Sequence, residues 1–239
     1  MLFTLITFGL MSAISGYLSY TYLNFYPKAI AKQIWKNFTT LYPDLLPQTN
    51  HGISFNIPQY FYSSQRFCVT SFIIISIIIT FLTQHVYQNI MVTLYFNIYF
   101  ETLWLLCLFD LRYRLIPIEL CYFLFFLGIN AVIYHVIDLS LISSLYHAII
   151  GFNTFYIISL IAKCIYKEEA LGMGDCWLML GLCSSLSLIQ IPWLILIASL
   201  LGITYVLLAR YWQRNIIQIP FVPFLAVSQT LLLLQSVLY

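Results

Sequence analysis

The sequence predicts an all-α fold: a polytopic transmembrane helix bundle of about eight spans, with both termini outside. Three observations carry this. Of 239 residues, 62% are hydrophobic and 8% are charged, where a soluble domain carries roughly 25% charged residues; the mean hydropathy is +0.92. Eight stretches approach the ~20 apolar residues that cross a bilayer. The cationic residues then fall on one side of the layout those stretches define.

The stretches lie near 1–25, 67–84, 90–109, 117–136, 141–163, 176–190, 191–209 and 216–238. The first has no basic residues ahead of it, and its positive charges follow it. It reads as an uncleaved anchor with its N-terminus outside, not as a signal peptide. Connection 1–2 holds Lys28, Lys32, Lys36 and Arg66; connection 3–4 holds Arg112 and Arg114. Lys163 and Lys167 lie in or beside connection 5–6, and Arg210 and Arg214 in or beside 7–8. The remaining connections carry no Lys or Arg. By the positive-inside rule the charged connections are cytoplasmic. Only Gln190, Pro192 and a serine cluster separate the sixth stretch from the seventh. The net charge of +2 therefore expresses topology and excludes a nucleic-acid partner; the lipid bilayer is the partner that composition demands.

The chain reads as a single membrane domain over 1–239 with one sizeable insertion, a cytoplasmic loop over 27–66. Lys28, Lys32 and Lys36 are four residues apart, which puts them on one face of a short helix. That face meets anionic headgroups or docks a substrate. Cysteines 68, 107, 121, 164, 176 and 183 form no C-x-x-C pair, and most fall in spans, where Cys behaves as a small apolar residue. His51, His85, His135 and His147 are dispersed. No metal site is expected from them. The 19 Phe and 19 Tyr residues suit packing and interface anchoring.

Asp110 and Asp175 stand out from this apolar background. Each sits where an apolar stretch meets a charged segment on the same predicted side, and a carboxylate there is costly unless it has a partner or a task. Peptide hydrolysis without a metal needs an activated water and a polarised carbonyl. Two adjacent carboxylates sharing one proton supply both, one as base and one as acid. The structural alternative is that Asp110 pairs with Arg114 one turn on and that Asp175 caps the sixth span. The residues before Asp175 favour the catalytic reading: Gly172 and Gly174 flank Met173, and glycines permit positive φ and close backbone approach.

With these motifs the chain resembles the type IV prepilin peptidases, G-x-G-D aspartyl proteases of the bacterial inner membrane. In that family an aspartate is followed six residues later by Ile or Leu and then Pro, matched by Asp110, Ile116 and Pro117. The second aspartate ends an E-x-x-G-x-G-D pattern, matched by Glu169, Gly172, Gly174 and Asp175. A late I-P-F-x-P-F-L-A segment is matched from Ile219 to Ala226, an N-I-P by Asn56 to Pro58, and a Gly eleven residues before a Pro by Gly16 and Pro27. The sequence departs from the pattern at Trp177, where the family has Lys, at Ile118 and at Phe25, and it lacks the paired C-x-x-C motifs of many members.

The resemblance implies an aspartic endopeptidase that cuts prepilin or pseudopilin precursors at the cytoplasmic membrane face, after the glycine of a short basic leader. Asp110 and Asp175 would be catalytic; Gly172, Gly174, Glu169 and Pro117 would position the substrate. Glu168 and Glu169 would attract the basic leader, or simply balance Lys163 and Lys167. Proteolysis implies no cofactor. Bifunctional members also N-methylate the new terminus, and S-adenosylmethionine enters only with that activity. Two other readings stay open at this point: a presenilin-type G-x-G-D protease, and a membrane protein of assembly or transport without catalysis.

Overall fold

The computed structural model describes residues 2–41, 69–87, 89–167, 172–212 and 219–238. The described residues form eight helices and no strand: α1 (Leu2–Leu41), α2 (Val69–Val86), α3 (Ile90–Tyr113), α4 (Ile118–Ile133), α5 (Leu141–Tyr166), α6 (Met173–Cys183), α7 (Gln190–Tyr211) and α8 (Val222–Leu238). Each predicted stretch holds one of them. Four, α2, α3, α5 and α7, are long and apolar enough to cross a membrane, and α4, α6 and α8 are shorter apolar helices. The chain divides into two compact units, Met1–Leu82 and Thr83–Tyr239.

In the first unit, α1 packs against α2 backbone to backbone. A Cβ on Gly16 would come within 3.0 Å of the Ile73 Cα and of the Phe72 carbonyl oxygen. Helices approach this closely only where a small residue removes the side chain between them. Ser76 Oγ donates to the Ser12 carbonyl at 2.7 Å, and Tyr20 meets Phe72 edge to face. The expected short helix bearing Lys28, Lys32 and Lys36 is not a separate element. The first span continues through Pro27 as one helix of 40 residues, about 60 Å long, and Lys28 and Lys32 are exposed on it. The loop from 42 to 68, with Asn56 to Pro58 and Cys68, lies outside the described residues.

The second unit is built around α3. Phe96, Tyr99, Leu103 and Leu106 are buried along one stripe, spaced alternately three and four residues as a buried helical face requires. Asp110 occupies the next position of that stripe. The helices flanking α3 are α4 and α8; α7 packs on α8, and α6 lies between α4 and α5. Small residues make the α6 sandwich. A Cβ on Gly181 would stand 2.8 Å from the Cys121 carbonyl oxygen of α4, one on Gly151 of α5 would overlap Cys183, and one on Gly128 of α4 would overlap Ser184.

A buried polar cluster ties three of these elements together. Gln229 Nε2 of α8 donates to Tyr99 Oη of α3 at 2.9 Å, to Ser185 Oγ just beyond α6 at 3.0 Å, and to the Leu182 carbonyl at 3.3 Å. Tyr99 Oη and Ser185 Oγ are themselves 3.1 Å apart. All three side chains are buried. In an apolar interior such a network holds its members in one arrangement, because any slip leaves a polar group without a partner.

Candidate active site

Asp110 sits on the last turn of α3, not beyond its end as the charged segment suggested. The helix runs on to Tyr113 and closes at Arg114, which adopts the left-handed conformation (φ 50°, ψ 39°) and donates its backbone N–H to the Asp110 carbonyl at 3.0 Å. Because Asp110 continues the buried stripe, its side chain is only 7% exposed. The Arg114 charge also favours the Asp110 carboxylate, less than the backbone amides that face it.

The carboxylate's anchor is the start of α8. The Val222 backbone N–H donates to Asp110 Oδ2 at 2.9 Å, and the Phe221 amide also faces the carboxylate. The Phe221 carbonyl accepts from Phe224 and Leu225 at 3.1 and 3.3 Å, which makes Phe221 the N-cap. The first amides of a helix have no partner within it, and Phe has no side-chain acceptor to supply one. Asp110 takes that role from another helix, and Pro223 has no N–H to satisfy. The late Pro-Phe segment thus forms the wall that holds the first aspartate.

The second aspartate lies in the first turn of α6. Gly172 is the N-cap (φ −73°, ψ 146°) and Asp175 the third helical residue; the Asp175 N–H donates to the Gly172 carbonyl at 3.1 Å. The Asp175 carboxyl in turn faces the Gly172 amide, as the acidic member of a capping box does. Asp175 is therefore not the N-cap itself. At 11 residues, α6 is about 16 Å long, too short for a bilayer core of about 30 Å, so Asp175 stands at the end of a helix that does not span. Burial pushes its carboxyl up to about 7, and the neighbouring Asp110 charge adds to this against the Gly172 amide. The two aspartates thus lie within electrostatic reach of one another, although the sequence separates them widely. The thiols of Cys107, Cys121 and Cys176 share this environment.

Ile116 joins the two motifs. A Cβ on Gly174 would fall 2.9 Å from Ile116 Cβ and 3.3 Å from its Cδ1. The clearance at Gly174 is filled by the chain's own isoleucine. Gly172 is different: it is exposed, and a Cβ there would meet only Asp175 Oδ2 at an ordinary 3.5 Å. Neither glycine has positive φ, so backbone freedom is not what they supply. Pro117, buried, is the N-cap of α4 and accepts from Leu120 and Cys121 at 3.2 and 3.3 Å. It starts α4 immediately after Ile116 and so sets the isoleucine over Gly174.

Trp177 wedges between α4 and α5, with ring centroids 5.3 Å from Tyr122 and 4.9 Å from Phe152. At this position the chain uses packing instead of a cation. Glu168 and Glu169 lie outside the described residues. His147 Nδ1 pairs with the Leu186 carbonyl at 2.8 Å, at the opposite end of α6 from Asp175. Among the described residues, no group of three His, Cys, Asp or Glu side chains is arranged to hold a metal ion. Sequence reasoning missed the Val222 amide, the Ile116–Gly174 contact and the Gln229 cluster. The first two had a signal, since both lie in segments singled out as motifs; Gln229 had none beyond being a polar residue in an apolar run.

Comparison with known proteins bears on this arrangement directly. The sequence profile of the type IV leader peptidase family matches residues 97–207, which hold both aspartates. Over that segment the chain is similar to the type IV leader peptidase family. Among its relatives is a prepilin leader peptidase/N-methyltransferase of Haemophilus influenzae, 29% identical over 211 residues, covering 87% of this chain and 89% of that protein. A protein of the same description from Dichelobacter nodosus is 33% identical over 127 residues, covering 53% of this chain and 43% of its own length. A type 4 prepilin-like proteins leader peptide-processing enzyme of Escherichia coli is 35% identical over 80 residues, 34% of this chain and 29% of its own. No solved structure matches the chain.

Proposed function

We propose that this chain is a prepilin leader peptidase in which Asp110 and Asp175 are the catalytic pair. The observation that carries the reading is the convergence of the two aspartates, from the last turn of α3 and the first turn of α6, inside the segment that matches the family. Carboxyls that feel one another's charge titrate as a pair, and the mechanism assigns one proton to the two. The ionised member removes a proton from water as its oxygen adds to the scissile carbonyl carbon. The protonated member gives its proton to the carbonyl oxygen. On collapse of the tetrahedral intermediate the C–N bond breaks, the amine nitrogen leaves with a proton from the pair, and a gem-diol hydroxyl gives its proton back to the pair as the new carboxyl group forms.

The substrate is a prepilin or pseudopilin precursor. Its basic leader stays at the cytoplasmic face of the inner membrane, its apolar helix lies in the bilayer, and the cut follows a glycine. Glu169 attracts the leader, while Pro117 and Gly174 act through the Ile116 contact. Co-expression with a pilin-type precursor tests this: the parent yields the mature product, and Asp110→Asn and Asp175→Asn each abolish it. Cleavage by either variant at normal expression refutes the pair.

Two of the relatives are prepilin leader peptidase/N-methyltransferases, which favours a second activity, N-methylation of the new terminus. Its methyl donor, S-adenosylmethionine, would need a cradle. The described glycines at 16, 128, 151, 174 and 181 sit against neighbouring helices or Ile116, and none has positive φ. Mass spectrometry of the mature substrate's first residue tests the activity; an unmethylated amine excludes it.

A further inference from the structure

The two aspartates are not equivalent. Asp110 is fully enclosed and accepts the Val222 N–H at 2.9 Å, with the Phe221 amide beside it, at the positive end of a 17-residue helix. Asp175 is partly buried and faces a single amide, that of Gly172 in its own helix. Amide donors and a helix N-terminus favour a carboxylate over a carboxylic acid.

We propose that the Val222 backbone N–H is a positioning donor that keeps Asp110 ionised as the base, so that the shared proton resides on Asp175, the acid. This rests on the peptidase reading above. Arg114, the C-cap of the same helix, adds to the asymmetry, because its charge also favours the Asp110 carboxylate. Cys107 faces Asp110 from its own helix, while Cys121 of α4, with Glu119 beside it, and Cys176 of α6 face Asp175. Helix α8 carries no ionisable side chain; its contribution is through the main chain alone.

Val222 is the first residue of α8, a position where proline is well tolerated because its ring matches the helix and no intrahelical N–H is lost. Val222→Pro therefore deletes the donor to Asp110 while sparing the helix. Val222→Ala removes the same buried side chain but keeps the N–H. Steady-state cleavage of a pilin-type precursor by purified full-length enzyme in detergent, followed against pH, separates them. The acidic limb of kcat/KM for Val222→Pro moves upward by about one to two pH units, the shift expected from losing one hydrogen bond to a charged group. Val222→Ala lowers the plateau without moving the limb. Coincident limbs in the two variants overturn the proposal. A second measurement needs no change in α8. Infrared difference spectra at pH 5 show the protonated-carboxyl band lost in Asp175→Asn and kept in Asp110→Asn; the reverse pattern overturns the assignment. If the parent itself cleaves no precursor, it is the peptidase reading that fails, and the infrared pattern still reports which aspartate holds the proton.

Discussion

The two glycines of the G-x-G-D motif make opposite predictions on substitution. A methyl group added at Gly174 falls 2.9 Å from Ile116 Cβ, where carbon atoms prefer roughly 3.5–4.0 Å. The obstructing atom is a branch point, not the end of a flexible chain. Ile116 is followed by Pro117, which restricts the isoleucine's backbone, and Pro117 is buried as the cap of α4. Relief must therefore come from moving the start of α6, and Asp175 moves with it. Overpacking of this kind costs about 1–3 kcal/mol, offset by up to ~1 kcal/mol from the better helix propensity of alanine. A displacement near 1 Å in a reacting group costs on the order of 100-fold in rate. Gly174→Ala should thus give a folded enzyme with kcat lowered about 100-fold. Gly172→Ala, whose new methyl meets only Asp175 Oδ2 at 3.5 Å, should stay within roughly tenfold of the parent, because it loses only part of a helix cap. The assay is steady-state precursor cleavage beside a thermal melt of each variant in detergent. An inactive Gly172→Ala beside a fully active Gly174→Ala would refute the packing argument. It would return the motif to the role read from the sequence, room for a substrate backbone.

Three further outcomes follow from the same geometry. Asparagine at 110 still accepts the Val222 N–H but alanine does not, so Asp110→Ala should be less stable than Asp110→Asn by about 0.5–2 kcal/mol, measured by thermal or chemical unfolding, while both are inactive. The Asp175 carboxyl is raised from 3.8 to about 7, so the folded state binds this proton more tightly than the unfolded chain. Its stabilising contribution is complete below pH ~4 and is lost as pH rises through about 7. The melting temperature should accordingly fall between about pH 4 and 7 in the parent and less so in Asp175→Asn, and cleavage should decline as pH rises through about 7, where the acid loses its proton. Gln229→Leu removes the donor to Tyr99, Ser185 and Leu182. A loss of about 1–3 kcal/mol is expected, read as a lower unfolding midpoint; an unchanged midpoint would show that the cluster does not hold the bundle.

The helices were legible because lipid imposes one pattern on every span: a long apolar run, with cations left at its ends. The boundaries were less so. The sixth and seventh stretches merge in composition, so nothing local announces that α6 stops at Cys183 and leaves Ser184 and Ser185 for other helices. Asp110 was legible as chemistry but not as the next residue of the stripe from Phe96 to Leu106, since a charged residue reads as the end of a buried face. The close approach at Gly174 was legible, but not what makes it. A glycine signals that something approaches closely, but the sequence alone does not say what, and Ile116 is held there by a turn and a proline. Least legible was the bond between Asp110 and Val222, 112 residues apart. Its donor is main chain, and a main-chain N–H leaves no mark on residue type except through its neighbours, here the prolines at 220 and 223 that confine the segment.

The same three helices meet at two levels, and this explains how carboxylates so far apart in sequence find one another. From Tyr99 to Asp110 along α3 is about 16 Å, and from Val222 to Gln229 along α8 is about 10 Å; α6 lies alongside with Asp175 at one end and Ser185 just past the other. A rigid helix fixed at one point can still slide or rotate about it, but two contacts at different heights remove that freedom. The Gln229 cluster is one such level. The other combines the Asp110–Val222 bond with the Ile116–Gly174 contact. Between them, α6 is gripped by α4 and α5 through glycines that leave no side chain to compress. A pair of like carboxyls resists being brought together, and a loosely packed bundle would relieve that repulsion by drifting apart. Here the restraint sits in helix packing and buried hydrogen bonds, none of which involves substrate. On the proposed reading, the two carboxyls are held near one another before any precursor arrives, and Gln229→Leu should lower the cleavage rate as well as the unfolding midpoint.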